Sequence, residues 1–287
     1  MSEEQIGIEQ DAVQPEESVN QPEPVAPDYV AMTLASGVAP LEVRYSQINS
    51  CYRKLPIAYR SHTFVNSVTM GVLAPEQYQF ASDGTERGIR LARWNVEQAI
   101  TALRTFEKAG RHVQFVTARC PARLALEDDL FQWMKDILDE QDFHQPEQLC
   151  LEFPQSLLFE EEEKVRLSIL NMKLLKVKTM MSGCGADDCP VAKLLRIPVD
   201  YVMLDPSVTT LIDNRNKGGA TVSLIGFLRS IPMEVIAEGV YNETQITALS
   251  RSDCFGYLPS SGFQGNVGHG PLRMTLTEAV SQQEEEI

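Results

Sequence analysis

The sequence predicts an α/β fold built on a mostly parallel sheet, and three observations point there. Apolar runs of strand length alternate with segments of helical period through most of the chain. The strand-length runs are almost continuously apolar, as expected of strands covered on both faces. At 287 residues and 43% hydrophobic content, the chain is long enough for a sizeable core. Periodicity alone leaves open whether the sheet is doubly wound or closed into a barrel.

In chain order, residues 112–117 (HVQFVT) read as a strand and 126–138 as a helix. A second strand is predicted at 148–153 (QLCLEF), followed by an amphipathic helix over 160–174. In that helix Leu167, Ile169, Leu170, Met172, Leu174 and Leu175 read as core. Further strands are expected at 176–181, 200–204 and 233–237, with helices at 190–196 and 219–229 between them.

The ends differ in character. Residues 1–28 hold eight acidic residues, no Lys or Arg, and few large apolar side chains, a composition predicted to stay disordered. Residues 276–287 read as a second acidic tail, ending in Glu284, Glu285 and Glu286, which leaves 29–275 as the folded domain. Much of the net charge of −15 lies in these ends; elsewhere 29 acidic residues face 25 basic ones. An acidic tail without a compensating basic stripe argues against nucleic-acid binding. No run reaches the ~18 apolar residues of a membrane span. With no secretion signal in view, a cytoplasmic location is expected, with Cys51, Cys120, Cys150, Cys184, Cys189 and Cys254 as reduced thiols.

Six segments in order carry a family resemblance: 41–48 (LEVRYSQI), 94–99 (WNVEQA), 150–156 (CLEFPQS), 194–205 (LLRIPVDYVMLD), 233–245 (MEVIAEGVYNETQ), and Gln264-Gly265 with Pro271-Leu272. Together they resemble the EAL family of bacterial phosphodiesterases, which open the second messenger cyclic di-GMP. The resemblance implies a modified TIM (β/α)8 barrel whose first strand runs antiparallel to the rest. It also implies chemistry at the C-terminal strand ends, driven by two Mg²⁺ or Mn²⁺ ions held by carboxylates and other oxygens.

Most of the implied ligands are replaced. Counted without gaps from Tyr45-Ser46-Gln47-Ile48, the Glu of E-A-L falls on Arg60, its Leu on His62, and a substrate-binding Arg on Phe64. The family's strand Asn falls on Ala118. A loop-tethering Glu falls on Gln155, the paired Asp-Asp on Ser182 and Gly183, and a Lys on Met203. Glu152, Asp205, Glu238 and Gln264 are retained. An arginine at position 60 would repel a cation ~4 Å away by about 4 kcal/mol per unit charge at an effective dielectric near 20. Asp187-Asp188 lie near the lost Asp pair, but moving them into register would break the matched spacing to Pro198.

The expectation is therefore a catalytically inactive EAL-like domain without metal, acting as a regulatory module on a protein partner, a second copy of this chain included. Cyclic di-GMP binding is expected to be weak or absent; a metal-free receptor and a residual phosphodiesterase are the alternatives. If Arg60 stands where a metal stood, its guanidinium should meet Glu152 or Glu238. Simpler roles are open too: Asp205 as a helix cap, and His62 and His269 as solvated loop histidines. Cys184 and Cys189 have four residues between them, a spacing that suits no ordinary zinc knuckle. Lys217-Gly218-Gly219 lacks the spacing of a phosphate-binding loop.

Overall fold

The computed structural model describes residues 40–67, 70–186, 189–264 and 273–282. The predicted tail at 1–28, His269, Asp187-Asp188, Gly265 and Pro271-Leu272 lie outside the described residues. The described strands are β1 (Leu41–Ser50), β2 (Pro56–Ser67), β3 (Gly71–Leu73), β4 (Val116–Arg119), β5 (Leu149–Pro154), β6 (Lys178–Cys184), β7 (Tyr201–Leu204), β8 (Glu234–Asn242) and β9 (Gly256–Gln264).

Their hydrogen-bonded order is β1-β9-β8-β7-β6-β5-β4-β2-β3, and β1 also pairs with β2. That pairing closes β1, β2 and β4–β9 into a barrel, with β3 appended to β2. β1 is antiparallel to both β2 and β9, while β2 and β4–β9 run parallel. This is the closed, one-strand-reversed barrel that the resemblance implied.

The barrel separates two apolar layers. Outside, helices cover the wall. The longest, Glu86–Lys108, starts at Thr85, whose side chain accepts a hydrogen bond from the Gly88 amide. Gly88 has to be glycine, because a Cβ there would meet the Ser82 carbonyl oxygen at 2.0 Å. The helix buries Ile89, Ala92, Val96, Ala99, Ile100, Leu103 and Phe106, a stripe at three- and four-residue spacing. Inside, a second cluster fills the barrel: Ile48, Ala58, Phe115, Cys150, Met180, Tyr201, Met203, Ile236 and Leu258. Fully burying an aliphatic or aromatic side chain contributes about 1.5–3 kcal/mol.

Two expectations need correction. Leu167 and Leu174 belong to the helix Glu162–Leu174, but they are 60% and 75% exposed, while Ile169 and Met172 are buried. A helix on a barrel wall buries only one stripe, and those two leucines fall on its far side. The segment read as a tail from 276 onward begins with a helix, Leu276–Gln282, whose Ala279 is buried. Its carbonyl accepts a hydrogen bond from the Tyr59 hydroxyl at 3.2 Å.

Candidate functional site

Side chains alternate along a strand, so each step of two residues moves up one layer on the same face. Two residues beyond the inner apolar cluster, the barrel-facing positions turn polar. Ala58 is followed by Arg60, Phe115 by Thr117, Cys150 by Glu152, Met180 by Ser182 and Ile236 by Glu238. On the reversed β1, Ile48 is preceded by Ser46. The upper layer thus lies at the C-terminal ends of the parallel strands, over an apolar plug.

Arg60 is the centre of this layer. Its Nε donates to Glu152 Oε2 at 2.9 Å and its Nη2 to Glu152 Oε1 at 2.5 Å, a fork on one carboxylate. The remaining Nη1 donates to Glu238 Oε1 at 2.6 Å. The Thr117 hydroxyl also donates to Glu152 Oε2, at 3.4 Å. Ser182 reaches Glu152 as well, and its Oγ donates to the Phe153 carbonyl at 3.2 Å. Burial alone would raise the Glu152 pKa, but the Arg60 guanidinium outweighs it and holds the carboxyl below its usual range. Burial likewise weakens the guanidinium's hold on its proton, and the two carboxylates more than restore it.

Around this triad is a cavity of about 600 Å³, with Ser46, His62, Tyr241 and Arg273 among its lining residues. His62 is neither solvated nor in a loop: it sits in β2, buried, with Nε2 at 3.0 Å from Ser46 Oγ. Burial, then Arg60 and Arg273, push its pKa well below the ordinary imidazole value, so it is neutral. Phe64, two residues further on, is stacked by the guanidiniums of Arg44 and Arg273, 4.6 and 5.5 Å from its ring centroid.

The remaining candidates are dispersed. Ala118 is a correction to the gapless count: it packs in the helix-facing layer, and the barrel-facing residue of β4 is Thr117. A shift of one residue along a strand inverts the face. Met203 is fully buried in the inner apolar cluster. Asp205 accepts from the Ser207 amide at 2.8 Å as the N-cap of the short helix Pro206–Thr209. Gly183 has φ +74°, and a Cβ there would lie 3.7 Å from the Gln155 side chain. Gln264, at the exposed end of β9, donates to the Tyr241 hydroxyl at 2.8 Å. Gly239, with φ +80°, follows Glu238 in β8; a Cβ there would meet Pro206 at 2.8 Å, so the strand beside the triad needs glycine. Sequence reading missed Ser46, Thr117 and Arg273. The period-two step from Phe115 was the signal that would have found Thr117.

This barrel has counterparts among known proteins. The EAL domain family matches residues 45–258, and the chain belongs to that family. An uncharacterized signaling protein of Caulobacter vibrioides is 31% identical over 110 residues, covering 38% of this chain and 14% of its own length. An uncharacterized protein of Azorhizobium caulinodans is 24% identical over 225 residues, covering 73% of this chain and 29% of its own. The chain thus corresponds to a minor part of both relatives. Among solved structures, an EAL enzyme bound to cAMP and cyclic di-GMP superposes with a TM-score of 0.75 at 17% identity, over 88% of this chain and 67% of the other. The PaMucR phosphodiesterase in complex with c-di-GMP gives 0.74 at 16%, over 87% and 97%. At these identities the likeness establishes the fold. No described helix is long and apolar enough to cross a membrane.

Proposed function

We propose that this chain is a non-hydrolytic EAL domain, in which an arginine gripping two glutamates stands in for a metal pair, and that it signals through contact with another protein. The observation that carries this is the position of Arg60 between Glu152 and Glu238. Both oxygens of Glu152 and one of Glu238 are engaged by a permanent cation. Asp205 is turned to its own helix terminus. Among the described residues, no group of three or more His, Cys, Asp or Glu side chains converges as a metal cage would. A divalent ion needs about six oxygen donors, and one entering here would have to displace the guanidinium. The residues present therefore do not fit Mg²⁺ or Mn²⁺.

Weak or absent cyclic di-GMP binding follows from the same surface. The position of the substrate-binding arginine is Phe64, covered by two guanidiniums, and the position of the lysine is Met203, sealed in the barrel. The test is a turnover assay with cyclic di-GMP and Mg²⁺ or Mn²⁺, beside calorimetry with the same nucleotide. No linear dinucleotide and no sub-micromolar affinity are expected. Metal-dependent turnover abolished by Glu152→Gln would overturn the proposal. Tight binding without turnover would replace the protein-contact reading with that of a nucleotide receptor.

A further inference from the structure

The loop leaving β6 holds a pair of thiols that the salt-bridged mouth does not use. Cys184 ends β6 and is 2% exposed, with its Sγ 3.5 Å from the Met181 carbonyl. Cys189 is half-buried against the same outer apolar cluster that contains Cys184. The Cys189 amide donates to the Ala186 carbonyl at 2.9 Å. The two thiols hydrogen bond to each other, and the Gly185 backbone also hydrogen bonds to Cys189. Gly185, at φ +90°, permits the turn; a Cβ there would meet Val208 at 2.7 Å.

We propose that Cys184 and Cys189 form a peroxide-oxidisable dithiol: Cys189 is the attacking sulfur, Cys184 the resolving one, and the product an intramolecular disulfide at the barrel mouth. The Cys189 thiolate attacks one oxygen of hydrogen peroxide. The O–O bond breaks, hydroxide leaves and is protonated to water, and sulfur is oxidised to a sulfenic acid. Cys184 then gives up its proton and attacks the Cys189 sulfur. The S–O bond breaks and a second water leaves. One peroxide is reduced to two waters and two thiols are oxidised to one disulfide.

The roles follow from the environments. The Cys184 hydrogen bond, with that from Gly185, brings the Cys189 pKa down to about 6 against the opposing effect of burial. The Cys184 thiol is pushed up by the same contact and by burial, which keeps it protonated until it resolves. The only other thiol with a cysteine partner described is the pair Cys51 and Cys254, at 2% and 0% exposure. Cys51 is pushed up by its bond to Cys254 and by burial, and both thiols are closed off from solvent, so that pair serves as an internal control. The carbonyl of Cys184 accepts from the Asp205 amide at 2.9 Å, so the dithiol is tied directly to the start of the next loop of the mouth.

The experiment uses the full chain. Thiol alkylation is followed by peptide mass spectrometry from pH 5 to 8. A thiol with a pKa of about 6 is ~90% thiolate at pH 7 against ~3% for an ordinary thiol, while its intrinsic nucleophilicity is ~13-fold lower. The net expectation is alkylation about 2-fold faster than an unperturbed peptide thiol at pH 7, and about 20-fold faster at pH 5. After stoichiometric peroxide, a cross-linked Cys184–Cys189 peptide should appear while Cys51 and Cys254 still alkylate once unfolded. Cys184→Ser should leave a sulfenic acid on Cys189 that dimedone traps, and Cys189→Ser should leave Cys184 unoxidised. Alkylation at Cys189 with a midpoint near that of a free thiol would overturn the proposal. So would peroxide treatment that links Cys189 between chains or leaves both thiols intact.

Discussion

Replacing Arg60 with alanine strips the triad of its only cation and leaves Glu152 facing Glu238. The Glu152 side chain is 3% exposed, the Glu238 side chain 29% and the Arg60 side chain 17%. Breaking a buried pair by removing one partner costs about 3–5 kcal/mol. Partial exposure of Glu238 moves the expectation to the lower end, about 3 kcal/mol at pH 7. At ~2–4 °C per kcal/mol for a domain of this size, the melting temperature falls by about 6–12 °C. In the native chain Glu152 is held below its usual pKa, so its contribution is complete above the unfolded carboxylate value of ~4.3 and fades as pH falls through the folded value. In the variant the carboxylate loses its partner, burial dominates, and the sign reverses: stability falls as pH rises past ~4.3. The gap between the two proteins should therefore be widest near neutral pH and narrow towards pH 4. Urea titrations at pH 7 and 4.5 measure it, with an unchanged m-value as the check on a two-state comparison. Adding Glu152→Gln to Arg60→Ala should recover at least ~1 kcal/mol, because it removes the stranded charge. A loss under ~1 kcal/mol at pH 7, a gap that does not narrow at low pH, or no recovery in the double variant would refute the reasoning.

Two further outcomes follow from the same layer. Asp205→Ala should cost about 0.5–1 kcal/mol in denaturant titrations through the lost cap on Pro206–Thr209, and leave the Arg60 pairing intact by crystallography. Burial, then Arg60 and Arg273, keep His62 neutral in the fold, whereas the unfolded chain takes up its proton below ~6.5. Native stability should thus fall as pH drops from 6.5 to 5, by up to ~1.4 kcal/mol per pH unit from this residue. His62→Asn should flatten that part of the profile, and an unchanged slope would show that the imidazole charges in place.

The strands most legible in the sequence were those filled with apolar side chains, such as Leu149–Pro154 and Tyr201–Leu204. β2 escaped a reading by periodicity because its inward face carries Arg60 and His62 and its neighbours are Ser61 and Thr63. A strand that builds a polar site does not look like a buried strand. The family resemblance located Arg60 correctly and brought Glu152 and Glu238 to it, since matched motifs lie close on either side of each. At Ala118 it landed one residue from Thr117, the residue of β4 that faces the barrel. The exposure of Leu167 and Leu174 was invisible for a different reason: leucine spacing defines a stripe, but which edge of it meets the wall is settled by the neighbouring elements. Arg273 had no signal, because its place over Phe64 is a contact between residues more than 200 positions apart.

The reversed first strand gives this cylinder a seam. β1 and β2 run side by side from Leu41↔Val65 to Asn49↔Pro56, whereas β1 and β9 pair only at Asn49↔Tyr257 and Ser50↔Gly256. Among the described residues, β1 is also tied to the far end of the domain by the reciprocal amide–carbonyl bonds of Tyr45 and Met274 at 2.7 and 2.9 Å. Backbone joints with few bonds are where a fold opens locally, well before it unfolds as a whole. The slit between β1 and β9 borders the mouth cavity through Ser46, Gln47, Leu258 and Pro259. The residues joined there lie more than 220 positions apart, so the two ends of the domain meet on the reversed strand.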